Sequence, residues 1–128
     1  MKNLIVDATR DEIFLTLIVD GNIYTGSHEN SKINFEKLII LIKDFLQVNS
    51  SSLDKIDVIY VNRGPGSFAG IRNSLATIKA LFLTKKINYY CFSFEDFKGF
   101  EEVKYEDVPS LCTKFKIKKN LINPIYLS

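Results

Sequence analysis

With 128 residues the chain has room for one domain and a core, but not for two full lobes. Its composition, 46% hydrophobic and 25% charged, is ordinary for a globular protein, and a formal charge of +2 argues against a protein that grips nucleic acid by bulk electrostatics alone. The single histidine, His28, excludes an HExxH zinc hydrolase, and no apolar stretch approaches the roughly 20 residues that span a bilayer.

Leu4-Ile5-Val6 reads as a short buried strand ending in Asp7-Ala8-Thr9. The run behind Met1-Lys2 is too short for a signal peptide, so a cytoplasmic location is expected. Ile13 to Val19 is a second strand, rich in β-formers. Asp20-Gly21 is a two-residue hairpin turn, Asn22 to Thr25 the returning strand, and Gly26 to Ser31 a polar connector.

Asn34 to Gln47 reads as a helix. Phe35, Leu38, Ile39, Leu41, Ile42, Phe45 and Leu46 fall on one broad face, wide enough to touch both a sheet and a partner. Ile40 lands among Glu36, Lys37, Lys43 and Asp44 and is read as an isolated exposed side chain. After a Ser-rich loop at 49–52, residues 58–61 form an apolar strand covered on both faces. The β-α-β crossover makes it parallel to the first strand.

Arg63-Gly64-Pro65-Gly66-Ser67-Phe68-Ala69-Gly70-Ile71-Arg72 packs a strand end, a tight turn and a helix start together. Gly64 and Gly66 admit backbone angles closed to other residues, Pro65 fixes its own φ, and Ser67 can cap the helix. Such a turn is either an anion-binding arrangement of free N–H groups or a tight connection with no ligand. It lacks the Gly-Lys-Ser/Thr ending of a P-loop and the glycine spacing of a dinucleotide fingerprint.

The helix from Ser67 to about Thr84 carries a bulky stripe, Phe68, Ile71, Leu75, Ile78 and Phe82. Ala69, Ala76 and Ala80 form a small-residue stripe, and Arg72 and Lys79 run between the two. One stripe is expected on the sheet and the other on a docking face; alternatively both basic side chains simply snorkel to water. Asn88 to Phe92 is a further strand, and Ser93 caps a short helix through Phe97. Lys114, Lys116, Lys118 and Lys119 form either a basic tail or a solvated run. Cys91 and Cys112 lack metal or redox spacing and read as buried, inert thiols.

The stretch 63–72 resembles the Arg-Gly-Pro-Gly-Ser-Phe-Thr-Gly-Leu-Arg hallmark of the TsaB family, the tRNA threonylcarbamoyladenosine biosynthesis subunit once described as glycoprotease-like. Arg63, Gly64, Pro65, Gly66, Ser67, Phe68, Gly70 and Arg72 are in register, with Ala69 for Thr, Ile71 for Leu, and Asn62 for a preceding Gly. Ala76-Thr77-x-Lys79 is similar to the family's Ala-Thr-Ala-Lys. The His, Ser and Pro of a family pattern in the first helix are absent.

The resemblance implies an α/β fold: one RNase H-like lobe of the actin, Hsp70 and sugar-kinase superfamily, with a mixed five-stranded sheet in the order β-β-β-α-β-α-β. It implies the lobe over 1–98 and a connector over 99–128, a remnant of a second lobe. That remnant ends in Asn123-Pro124-Ile125-Tyr126-Leu127, similar to the family's terminal Pro-x-Tyr-Leu-Arg, with Ser128 in place of Arg. In that superfamily an Asp at the end of the first strand faces the nucleotide cleft, so Asp7 is either a vestige of that site or a plain turn residue.

By the same resemblance the chain is a non-catalytic scaffold that binds and activates a TsaD-type catalytic subunit through paired helices. The expected interface residues are Leu38, Ile39, Ile42 and Phe45 on one helix, and Phe68, Ala69, Arg72, Ala76, Lys79, Ala80 and Leu83 on the other. A TsaE-type ATPase is a further partner, tRNA is met only through the complex, and the isolated chain is expected as a homodimer off the membrane. No catalytic residue, metal or cofactor of its own is implied, with ATP or ADP left open at the interface of the assembled complex. The competing reading is a stand-alone homodimeric glycoprotease-like or nucleotide-binding protein.

Overall fold

Leu4 and Val6 point to one side of their strand and Ile5 to the other, and all three are buried. A strand apolar on both sides needs cover on both sides. The computed structural model, which describes residues 1–126, supplies it from two different parts of the chain. Leu127 and Ser128, the end of the expected terminal signature, lie outside the described residues.

Five strands form one mixed sheet: β1 (Lys2–Asp7), β2 (Glu12–Val19), β3 (Asn22–Glu29), β4 (Val58–Asn62) and β5 (Asn88–Phe92). Their spatial order is β3-β2-β1-β4-β5. β1 to β3 form an antiparallel meander, while β4 lies parallel to β1 and to β5. The Asp20-Gly21 turn has φ of 48° and 86°, the paired positive angles that suit Asp-Gly hairpins.

β3 runs four residues beyond the expected Thr25. Gly26, Ser27, His28 and Glu29 pair with Leu15, Phe14, Ile13 and Glu12, so most of the expected connector is strand. The long β2 offers a ladder that these polar residues complete. Gly26 also leaves room for the Phe45 ring, which a Cβ there would meet at 3.0 Å.

The expected helix 34–47 is two helices, α1 (Lys32–Glu36) and α2 (Leu38–Val48), broken at Lys37. The Ser31 hydroxyl accepts from Asn34 N at 3.2 Å and starts α1 at Lys32, ahead of the expected Asn34. α3 (Phe68–Lys85) matches its expected span and ends where Lys86 takes a left-handed φ of 60°. α2 and α3 cover the Leu4/Val6 side of the sheet, with Leu15, Leu17, Ile59, Val61 and Tyr89 beneath them.

Residues 99–126, expected as a connector, form a layer on the opposite side. Val108, Leu111 and Cys112 of α4 (Val108–Lys114) pack with Phe97 on Ile5, Tyr60 and Phe92. Farther on, Lys119 bridges to Tyr90, and Asn120 N donates to Tyr89 O at 2.8 Å, which covers the β5 edge.

Candidate functional site

Two turns meet at the carboxyl ends of β1 and β4. Ser67 N donates to Thr9 O at 2.8 Å, and the Ser67 hydroxyl accepts from Gly70 N at 3.1 Å, so the expected cap is in place. Gly66 holds a φ of 159°, and a side chain on it would strike the Thr9 carbonyl; one on Gly70 would strike the Ala8 carbonyl. These glycines let the helix start lie directly on the β1–β2 turn. Two N–H groups at that helix start therefore have partners within the chain.

Asn62 ties the neighbouring peptide, accepting from Gly64 N at 2.9 Å. Arg63 donates to both Asp96 carboxylate oxygens, at 2.6 and 3.4 Å, and to Asn123 O at 3.0 Å. Its own carbonyl accepts from Ile125 N at 2.8 Å. The arginine of the motif thus clamps the C-terminal segment to the sheet.

Asp7 is fully buried. Oδ1 accepts from Thr9 N at 2.9 Å and from the Thr9 hydroxyl at 2.6 Å. Oδ2 accepts from Asn62 Nδ2 at 3.1 Å and from the Tyr105 hydroxyl at 2.6 Å, with Arg10 Nε at 4.0 Å. The Asp7 carboxylate therefore faces Tyr105 and Asn62. Burial first, and then the Asp7 charge, push the Tyr105 hydroxyl well above its ordinary range, so it stays a proton donor. Tyr105 has no signal in the sequence that pairs it with Asp7.

The helical layer sorts the expected interface residues into two sets. Leu38, Ile42 and Phe45 are core residues against the sheet, and Ile39 is half-buried on the same core. The apolar arc of α2 packs largely on its own sheet. α3 is different. Phe68 (53% exposed), Arg72, Ala76, Ala80 and Leu83 (59% exposed) all face outward along one line of the helix. Arg72 sits over the Phe68 ring at 5.3 Å, and half-buried Lys79 over Phe82 at 5.2 Å.

Half-buried Ala69 lines a groove of about 420 Å³ with Lys32, Phe35, Glu36, Arg72 and Asn73. Three exposed apolar residues of this layer, Ile33, Ile40 and Val48, were not expected at an interface. Ile40 carried a signal, an apolar residue on a polar helix face, which taken alone is commonplace.

Among the described residues no three His, Cys, Asp or Glu side chains gather to hold a metal ion, and no helix is long and apolar enough to cross a membrane. Burial pushes the Cys91 thiol up to about 11 and that of Cys112 up to about 12, which makes both poor nucleophiles.

An antiparallel meander, two parallel crossover strands, α1 to α3 on one side and a short helix on the other define an RNase H-like α/β lobe. Known proteins agree with that class. YeaZ from Pseudomonas aeruginosa superposes with a TM-score of 0.65 at 21% identity, over 72% of this chain and 43% of its own. RuvC of Thermus thermophilus superposes with a TM-score of 0.51 at 11% identity, over 92% of this chain and 82% of its own. A family model described as TsaD, tRNA N6-adenosine threonylcarbamoyltransferase, matches residues 29–93. The tRNA threonylcarbamoyladenosine biosynthesis protein TsaB of Buchnera aphidicola subsp. Baizongia pistaciae is 35% identical over 65 residues, covering 44% of this chain and 29% of that protein. The chain belongs to this threonylcarbamoyltransferase family, in its TsaB branch. Its matches cover only 29% and 36% of the length of the curated relatives.

Proposed function

We propose that this chain is a non-catalytic subunit in the biosynthesis of threonylcarbamoyladenosine in tRNA, and that it docks a TsaD-type catalytic partner through the outer face of α3. The observation that carries the reading is the outward line Phe68, Arg72, Ala76, Ala80 and Leu83 on an 18-residue helix. Its small residues allow a second helix to approach closely, and its two large apolar ends anchor one. The saturated Asp7 carboxylate supports a passive subunit, since every oxygen a nucleotide-bound cation would use already has donors within the chain.

The test is to mix the purified chain with the TsaD-type protein of the same organism and follow complex formation by analytical ultracentrifugation. A stable pair that displaces any homodimer is expected. Absence of pairing at high micromolar concentration, or hydrolysis of ATP by the isolated chain, would overturn the reading. Depletion in cells is expected to lower threonylcarbamoyladenosine in tRNA nucleosides, and an unchanged level would exclude the pathway.

A further inference from the structure

The far side of the sheet carries a second, differently built surface. Lys114, Lys116, Lys118 and Lys119 are all exposed. None of the four is within ion-pair distance of a carboxylate among the described residues. No Asp or Glu occurs anywhere in 108–126. Between these lysines Phe115 and Ile117 turn inward onto the Phe97 and Tyr60 cluster, which displays Lys114, Lys116 and Lys118 outward.

The backbone beneath is fixed. Lys119 bridges to Tyr90, and Asn120 is bonded to Tyr89 through both its N–H and its side chain, at 2.8 and 2.9 Å. Charges on an ordered backbone lose less entropy on binding than charges on a loose tail. Beside them Phe100 keeps 43% of its surface exposed, edge-on to Phe115 at 5.8 Å. Lys114 Nζ stands 4.6 Å from the centre of the Phe100 ring. Glu101 and Glu102, both exposed, follow Phe100 in the chain.

We propose that this surface, Lys114, Lys116, Lys118 and Lys119 with Phe100, binds an RNA strand. The lysines neutralise successive phosphates, and the exposed ring offers a platform for an unpaired base. The identification of the strand as tRNA rests on the function proposed above; the phosphate-and-base chemistry rests on this surface alone. α3 lies on the other side of the sheet, so one copy can hold a protein partner and an RNA strand together. A net charge of +2 leaves little long-range attraction, so binding depends on where these charges sit.

The experiment uses the full chain, an unmodified tRNA transcript and fluorescence anisotropy over a salt series. One variant carries Lys114→Glu, Lys116→Glu, Lys118→Glu and Lys119→Glu. A control of equal net charge carries Lys37→Glu, Lys43→Glu, Lys55→Glu and Lys86→Glu, all exposed and elsewhere. The first is expected to lose at least about tenfold in affinity and about three units of salt slope, and the control less than about threefold. Phe100→Ala is expected to lose about fivefold or more on a single-stranded oligonucleotide. Equal losses in both charge variants, no RNA binding by the wild type, or binding to anionic phosphatidylserine vesicles in place of RNA would each overturn the proposal. Thermal melts of each variant separate lost binding from lost folding. Pairing with the TsaD-type partner is measured on the same samples. Retained pairing with lost RNA binding is the expected pattern. Failure of the wild type to pair would sink the earlier reading and leave the RNA result standing.

Discussion

The Tyr105 hydroxyl reaches Asp7 Oδ2 at 2.6 Å across 98 positions of sequence. One bond thus joins the first strand of the sheet to the segment that covers its far side. Tyr105 also stands against Phe14 and Phe94, at 6.1 and 5.9 Å, with Arg10 over all three rings. Tyr105→Phe keeps the ring and removes only the donor to a buried carboxylate. A loss of roughly 1.5–3 kcal/mol of unfolding free energy is expected, the range for a hydrogen bond to a charged group. Urea unfolding should show a lower midpoint at unchanged slope. A shift below about 0.5 kcal/mol would mean that the bond does not hold the segment.

Alkaline pH should act on the same core. Burial first, then nearby charge, pushes Tyr60 from 10.0 up to about 12, and burial pushes Cys91 and Cys112 from 9.0 up to about 11 and about 12. In the unfolded chain these groups titrate at their ordinary values. Below about pH 8 both states keep the protons, and the stabilisation is complete. As pH rises from there toward 11 or 12 the unfolded state gives up protons that the folded state retains, so stability falls. Denaturation curves from pH 7 to 11 should be nearly flat at first and then drop. Flat stability through pH 11 would show that these groups are wetter than the packing implies.

Local chemistry was legible in the sequence wherever a residue acts on its own neighbours. Asp20-Gly21 takes the angles it announces, Ser67 caps α3, and the crossover from β1 to β4 is parallel. Legibility fails where the deciding partner is distant. β3 continues through polar Ser27 and His28 because β2 is there to pair with them. The arc Leu38, Ile42 and Phe45 looks the same whether a sheet or a partner covers it, and periodicity cannot choose. Asp7 at a strand end gives no hint of Tyr105, because the contact exists only once 99–126 has folded onto the sheet.

The sorting of the helical residues gives a two-sided test. Leu83→Glu and Ala76→Arg alter the outward line of α3, where neither side chain supports the core. Each should leave unfolding free energy within about 0.5 kcal/mol and weaken pairing with the TsaD-type partner by about 2 kcal/mol or more. Leu38→Ala and Ile42→Ala should do the reverse. They open cavities under α2 and cost roughly 2–5 kcal/mol of stability. Pairing of whatever remains folded should be unchanged. Isothermal titration and chemical denaturation on the same four variants separate the two sets. Normal pairing by both α3 variants would refute the docking face.

Arg63 and Asp96 are a further fastening of the segment, a largely buried pair at 2.6 Å with side chains 16% and 18% exposed. Asp96 Oδ2 also accepts from Ser93 N at 2.8 Å, so the carboxylate ties the end of β5 to the motif turn. Asp96→Asn leaves the Arg63 charge without its counterion in a mostly dry site, at a cost of roughly 3 kcal/mol. The location of the damage is more telling than its size. Arg63 is also the residue that holds Asn123 and Ile125, so the loss should appear first as local opening of the C-terminal segment. Amide exchange at Ile125 and Asn120 should accelerate well before exchange at Leu15 or Val61 in the centre of the sheet. Uniform acceleration across all four amides would mean that the pair stabilises the lobe as a whole and not the seating of this segment.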